Sequence, residues 1–409
     1  MQGRYMVCLY KSLGGCSLLF LLLILPFHSS GFAESVRGVT DTTIKIGVIL
    51  DQTGPTAGDI TVPITKALRN RNMYINDSGG IFGRKLILTV EDDRYSIPAG
   101  IAAFKKLLFR DQVFALIGPA NTGEAKALLR HIEKLKVPNI TGALDVSMVD
   151  PLRRHIFLSF CLYYDQFGVI YDYILNDLKP KECKITFLYP DVEFGKMGVE
   201  STKRWAEYFN FTFNTEIINF GALDATSQVL NIRRKRPTHI VIHHSSPAAI
   251  ALLRDLKKFG LNIPVYGTLP TCTEDTVQMA GNASKNYIGI HCFSSWYDNF
   301  KGVNKMRKIT LKYKPGTEKP LRNKLYTAGW VMSTVLTEGI KRAGKNINIE
   351  NMVSGLESIK ALDTRGLCGP ITFTSTDHYG LRHSKLYAGV PEKGELVPIS
   401  DWRLPPTKK

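Results

Sequence analysis

The chain has 409 residues, with 53 Lys and Arg against 36 Asp and Glu and a formal net charge of +17. That length exceeds one ordinary hydrophobic core and sets an expectation of two or three domains, while 44% apolar and 22% charged residues exclude both a disordered chain and a membrane-embedded bundle. The basic balance favours anionic surfaces but defines no site.

Arg4 and Lys11 precede an apolar run over residues 18–25, and Gly31, Phe32 and Ala33 follow it with a cleavage-like pattern. This is the order of a secretory leader, so residues 1–33 are expected to be removed near Ala33 and the mature chain to be periplasmic. No later stretch approaches the ~20 apolar residues that cross a bilayer. Cys16 lies before the apolar run rather than after it, which sets a lipid anchor aside.

From residue 43 onward, short runs of Val, Ile and Leu alternate with amphipathic stretches of helical length, the pattern of α/β folds with parallel sheets flanked by helices. Strands are predicted at 44–50, 86–91, 114–117 and 139–141. A helix from about Val62 is predicted to end at Ser78-Gly79-Gly80, where glycine takes the left-handed conformation. Ile97, Ile101, Phe104 and Leu108 recur at helical spacing, with Ser96 placed to cap them.

A second alternation starts near residue 165. Helices are predicted over 167–178, 194–209, 226–236, 247–259, 303–313 and 324–343, with strands at 185–189, 217–218, 239–243 and 264–267. Two βα arrays in series imply two lobes, and no low-complexity linker separates them. The run Arg233-Arg234-Lys235-Arg236 ends a helix before Pro237, where cations complement the helix dipole and face solvent, so nucleic acid is not an expected partner.

Enzymatic and metal motifs are missing from the residues. Gly118 and Gly123 frame half of a phosphate loop, but Glu124 stands where its lysine belongs. There is no G-x-S-x-G, H-E-x-x-H or C-x-x-C. His243 and His244 are adjacent on a strand and point to opposite faces, and nothing orients His155 as a base for Cys161. Five cysteines follow the leader, Cys161, Cys183, Cys272, Cys292 and Cys368; Cys272 with Cys292 is the first pair to test for a disulfide, since spacing assigns no connectivity.

Doubly wound sheets bind ligands in the crevice beyond the carboxyl ends of their strands. Four loops there carry polar or small residues: Asp51 to Pro55 with Gln52, Asn121-Thr122-Gly123, Ala143-Leu144-Asp145, and Asp191 to Phe194. Their backbone N–H groups suit an anionic group such as a carboxylate.

The segments IKIGVILDQTGPTAG and INDSGGIFGRKLILTVEDDRYSIPAGIAAFKKLLFRDQVFALIGPANTG, with the later GPITFTSTDH, resemble the branched-chain amino-acid binding proteins of ABC importers, the type I periplasmic binding proteins. The resemblance runs from about Ile44 to Trp402. It implies two Rossmann-like lobes joined by three crossovers near Phe160, Ser294 and Gly369. Lobe 1 would be 42–160 plus 295–368, and lobe 2 would be 161–294 plus 369–402. In such proteins a ligand closes the lobes, and the closed form is handed to a permease with its ATPase.

Carried over residue by residue, the resemblance assigns the ligand's carboxylate to Asn121 and Thr122, a backbone contact to Ala143, and an overlying aromatic ring to Phe194. A family threonine or serine is Asp145 here, and a second aromatic falls near Ser245. The acidic partner of the ligand's ammonium falls at Leu269, which bears no charge. Asp145 is left either to replace that partner or to repel a carboxylate. The expected function is therefore capture of an amino acid, amide or organic or aromatic acid by a monomer with no cofactor, metal or catalysis. The alternatives are a ligand-sensing periplasmic receptor subunit signalling to a membrane or regulatory partner, and a hydrolase using Cys161 or Ser245.

Overall fold

The computed structural model describes residues 36–316 and 323–407; the leader expected over 1–33 lies outside the described residues. The first array runs β1 (Thr43–Ile49), α1 (Val62–Asp77), β2 (Lys85–Glu91), α2 (Ile97–Lys105), β3 (Ala115–Ile117), α3 (Thr122–Lys134), β4 (Asn139–Thr141) and β5 (Ile156–Leu158). The four predicted strands form. The short β5 adds a fifth at the sheet edge, where three residues give too little pattern to read from sequence.

The second array runs α4 (Tyr163–Asp172), β6 (Lys184–Tyr189), α5 (Glu193–Phe209), β7 (Thr212–Ile217), α6 (Thr226–Lys235), β8 (His239–Ile242), α7 (Ser246–Lys258), β9 (Val265–Gly267), α8 (Glu274–Ala280) and β10 (Tyr287–His291). The strand expected at 217–218 instead begins at Thr212. It is the sheet's terminal strand, half exposed on both faces, so it lacks the apolar run that marks a central strand. Three helices, α9 (Lys301–Tyr313), α10 (Lys324–Ala343) and α11 (Ile349–Glu357), come before β11 (Lys385–Val390) and β12 (Glu395–Pro398).

The first sheet has the order β2-β1-β3-β4-β5 and is wholly parallel. The second has the order β7-β6-β8-β9-β10-β11-β12; it is parallel through β10, and β11 and β12 join antiparallel. In α5 the buried residues Phe194, Gly198, Ser201, Thr202 and Trp205 fall on one stripe, and Trp205 donates its indole N–H to the Tyr164 carbonyl at 2.7 Å. The long α10 packs against α1 and α11. It is buried along nearly its whole length, from Lys324 in its first turn to Ile340.

Gly79 and Gly80 take positive φ beyond α1, as expected of a helix stop. The stripe of α2 is less regular: Ile97 is exposed, Ser96 makes no side-chain cap bond, and the helix widens into a π turn from Lys106. The basic run closes α6 in solvent, with Arg236 left-handed. All five described cysteines are free, so the suggested Cys272–Cys292 bond is not formed; both are buried.

Three segments pass between the sheets. Residues 159–162 link β5 to α4. Phe293 bridges Cys368 antiparallel, with Ser294 N–H on the Leu367 carbonyl at 2.8 Å. Tyr379 still pairs with Leu158 at the edge of the first sheet, while Lys385 pairs with His291 in the second. The last passage therefore runs through residues 380–384, downstream of Gly369, because a turn closed by Thr374 and Asp377 first returns the chain to the first sheet.

Candidate ligand cleft

The carboxyl ends of the two sheets face one another across a cavity of about 50 Å³. By the same measure one water needs ~10–15 Å³, so there is room for a small molecule only. From the first sheet the wall is built by the loops after β1 (Thr56, Ile60, Thr61, with Ile64 of α1), β2 (Tyr95), β3 (Ala120) and β4 (Gly142, Leu144), joined by Leu325 of α10. From the second it is built by Phe194 at the start of α5, Phe220 after β7, His244 and Ser245 after β8, and Leu269 and Pro270 after β9. Phe160 of the first crossover and Tyr163 of α4 line the inner end.

The lining carries no charged side chain. His244 is neutral at neutral pH because burial lowers it to about 4, and its Nε2–H donates to the Ile218 carbonyl at 2.9 Å. Its Nδ1 then accepts from Ser245 N–H at 2.8 Å. Thr56 Oγ1 donates to Asp51 at 2.8 Å, and Thr61 Oγ1 donates to the Asp51 carbonyl. Among the described residues, the Tyr95 and Tyr163 hydroxyls have no hydrogen-bond partner, which leaves them as donors free for a ligand beside the already bonded Thr56, Thr61 and His244.

Of the residues expected to touch ligand, Leu144, Phe194, Ser245 and Leu269 line the cavity. Gln52, Asn121, Thr122, Gly123, Ala143 and Asp145 do not. The Gln52 side chain donates to the Leu50 and Asp51 carbonyls and to Thr65. Asn121 caps α3 by accepting from Gly123 and Glu124 N–H at 3.0 and 3.3 Å, using the very groups that were expected to hold a carboxylate. Thr122 is buried, Gly123 lies against Ile97, and Ala143 joins the core beneath the sheet. Asp145 accepts from Ser147 N–H at 2.8 Å and pairs with Lys126 at 3.1 Å, so it neither replaces an ammonium partner in the cavity nor repels a carboxylate there.

Tyr95, Tyr163, Phe220 and His244 were missed. The rule that selected loops after β1, β3 and β4 applies equally after β2 and β7, where Tyr95 and Phe220 stand; Tyr163 lies just past the crossover expected near Phe160, outside the strand-end loops that the rule scans.

Charges gather at the rim instead. Lys126 of α3 pairs with Glu193 of α5 at 2.6 Å, joining the lobes. Asp59 accepts from Ser246 N–H at the start of α7 at 2.9 Å, also across the cleft, and burial pushes its carboxyl up to about 6. Tyr95 and Phe220 meet edge to face at 5.4 Å. Deeper in, Lys324 of α10 and Glu274 of α8 form a fully buried pair at 2.7 Å.

Among the described residues, Cys161 and His155 do not form a nucleophile–base pair. Cys161 sits with Tyr379 and Asp165, and burial raises its thiol, whereas His155 pairs with Glu133 at 3.1 Å. His243 is packed against Phe194 at 3.8 Å with both ring nitrogens hydrogen-bonded.

A family model described as periplasmic binding protein matches residues 43–393. The chain belongs to the periplasmic binding protein family. It is 24% identical over 87% of its length to the Leu/Ile/Val-binding protein BraC3 of Rhizobium johnstonii, covering 93% of that protein. It is 21% identical over 75% of its length to glutamate receptor 2.6 of Arabidopsis thaliana, but spans only 31% of that receptor. Among solved structures, a branched-chain amino acid ABC transporter protein of Thermus thermophilus with bound valine matches with a TM-score of 0.82 at 21% identity, covering 90% of this chain and 97% of that one. A fatty acid ABC transporter substrate-binding protein of Thermomonospora curvata also reaches 0.82 at 19% identity, covering 91% and 95%. The two-lobed α/β architecture is thus that of the type I periplasmic binding proteins.

Proposed function

We propose that this periplasmic binding protein is exported, acts without catalysis, and closes its lobes over a small, largely apolar organic acid or amide that it delivers to an ABC permease and its ATPase. The observation that carries the reading is the uncharged cavity. A zwitterionic amino acid brings an ammonium that must be matched on burial, and an unmatched buried charge is strongly unfavourable. Leu269 supplies no match, and Asp145 is turned away to Lys126. A neutral carbonyl oxygen, by contrast, or a carboxyl group in its protonated form, accepts from the hydroxyls of Tyr95 and Tyr163 and brings no unmatched charge. The relatives' named ligands include both amino acids and a fatty acid, which supports a cavity chemistry that varies within the fold.

Ligands that differ by one group test this. Leucine, isoleucine and valine are compared with their counterparts lacking the α-ammonium, and phenylalanine with 3-phenylpropanoate and its amide, by thermal shift and calorimetry. The deaminated member of a pair should bind and the amino acid should not; a ligand at a hundred times its Kd raises stability by about 2.7 kcal/mol. Binding confined to the amino acids overturns the reading. Tyr95→Phe should weaken the binding ligand about fivefold, the loss of one hydrogen bond.

A further inference from the structure

The geometry points to a second site, behind the cavity wall: a pocket where the carboxylates of Asp51, Asp92, Asp93 and Glu124 hold one calcium-sized divalent cation. Asp51 follows β1, Asp92 and Asp93 follow β2, and Glu124 lies in the first turn of α3 after β3. These three strands are neighbours in the parallel sheet, so their carboxyl ends deliver four acids to one place. One carboxylate oxygen from each of Asp51, Asp92 and Asp93 lies within 4.8 Å of the others. Oxygens bound to one calcium ion at 2.3–2.6 Å stand up to about 5 Å apart.

Glu124 supplies an independent sign. It is fully buried, its carboxyl oxygens accept from no N–H or hydroxyl donor, and its carboxyl lies within hydrogen-bonding reach of Asp93, so that a proton or a cation must sit between the two acids. It turns towards Asp93 and Asp51, with which it interacts unfavourably, and burial together with that repulsion pushes it up to about 9. Gly100 of α2 admits it, since a Cβ there would overlap its carboxyl. No Lys, Arg or His forms an ion pair with any of the four acids among the described residues; exposed Arg94 reaches only Asp92, through its backbone N–H at 3.0 Å and at longer range by its charge.

A buried carboxylate with neither a cation nor an N–H or O–H donor beside it, as in Glu124, needs a proton or a metal ion. An all-carboxylate set of hard oxygens selects calcium, magnesium or manganese over zinc or copper, and calcium, which accepts irregular oxygen sets, is the probe chosen. The acids are already oriented by surrounding donors. Gly54 and Thr56 N–H bond Asp51 at 2.5 and 2.9 Å, Thr53 Oγ1 bonds Asp92 at 2.6 Å, and Tyr95 N–H bonds Asp93 at 2.7 Å. Because Thr56 and Tyr95 also line the cavity, the ion would brace that wall from behind.

Calcium titrated calorimetrically into the chelator-treated full chain, without cleft ligand, tests the site independently of the transport reading. One saturable calcium per chain is expected, with Kd in the ~10⁻⁴–10⁻³ M range of extracellular modules, and a rise in melting temperature at saturation. Asp92→Asn, at the partly exposed edge where folding is least at risk, and Glu124→Gln should each weaken binding at least tenfold. No saturable binding at 10 mM calcium, about tenfold above that range, overturns the inference. So does binding that both variants leave unchanged, which would place the ion elsewhere, or a wild type indifferent to calcium whose acids merely share a proton.

Discussion

Glu274 and Glu124 are the same residue, almost equally buried, in opposite electrostatic settings. Glu274 of the second lobe meets the Lys324 ammonium at 2.7 Å and the Ser295 hydroxyl, and Lys324 in turn lies 4.5 Å above the Tyr387 ring. Glu124 of the first lobe meets only other acids. Asp59 stands between the two cases, without a cation but against the amino end of α7. The difference teaches that burial alone does not decide what a carboxylate does; the group that compensates it does. In this molecule the compensated acids fasten the lobes together, while the uncompensated ones sit behind the ligand wall.

The comparison breaks most visibly at Lys324. Lys324→Met strips Glu274 of its partner and should cost ~3–5 kcal/mol in urea unfolding; a loss under ~1 kcal/mol would mean that the ion pair does not hold Glu274 in place. Phe194→Ala, in the uncharged cavity, should cost ~3 kcal/mol and weaken the cleft ligand at least tenfold, because the ring packs on His243 and Tyr163. Calorimetry reads the second effect directly.

Asp59 gives a pH signature. Its folded pKa of about 6 lies above the ordinary value of 3.8, so the folded chain binds the extra proton between those values. The stabilisation it provides is full below about 4 and is lost as pH rises through 6. Asp275 and Ser246 are the groups that face it. Wild type should lose on the order of 1 kcal/mol relative to Asp59→Asn between pH 4 and 7; parallel melting curves for the two would contradict this.

Glu124→Gln carries the opposite sign to Lys324→Met. In chelator it should leave stability unchanged or raise it by up to ~1 kcal/mol, since an acid with no partner is replaced by a neutral amide of the same shape. Smallest of all, Lys126→Met should cost ~0.5 kcal/mol, the scale of a partly exposed ion pair. A double-mutant cycle with Glu193→Gln isolates that coupling.

The amino-acid sequence by itself determined the α/β class, the two arrays and most of their elements, because a strand buried on both faces and an amphipathic helix each leave a local period. It also placed Leu144 and Phe194 beyond strand ends, where the cavity lies, while Ser245 and Leu269 followed from the family resemblance alone. Edge strands such as β7, half polar on both faces, left no such trace. Which way a side chain turns was settled only by tertiary structure. Asn121 and Asp145 were sound candidates by position, yet local backbone and Lys126 claimed them, because a polar group takes the nearest partner that desolvation allows. The acidic pocket was beyond sequence for the same reason: patterns for nitrogen and sulfur ligands scan contiguous residues, whereas Asp51, Asp93 and Glu124 lie in three loops that only the parallel pairing of β2, β1 and β3 brings together.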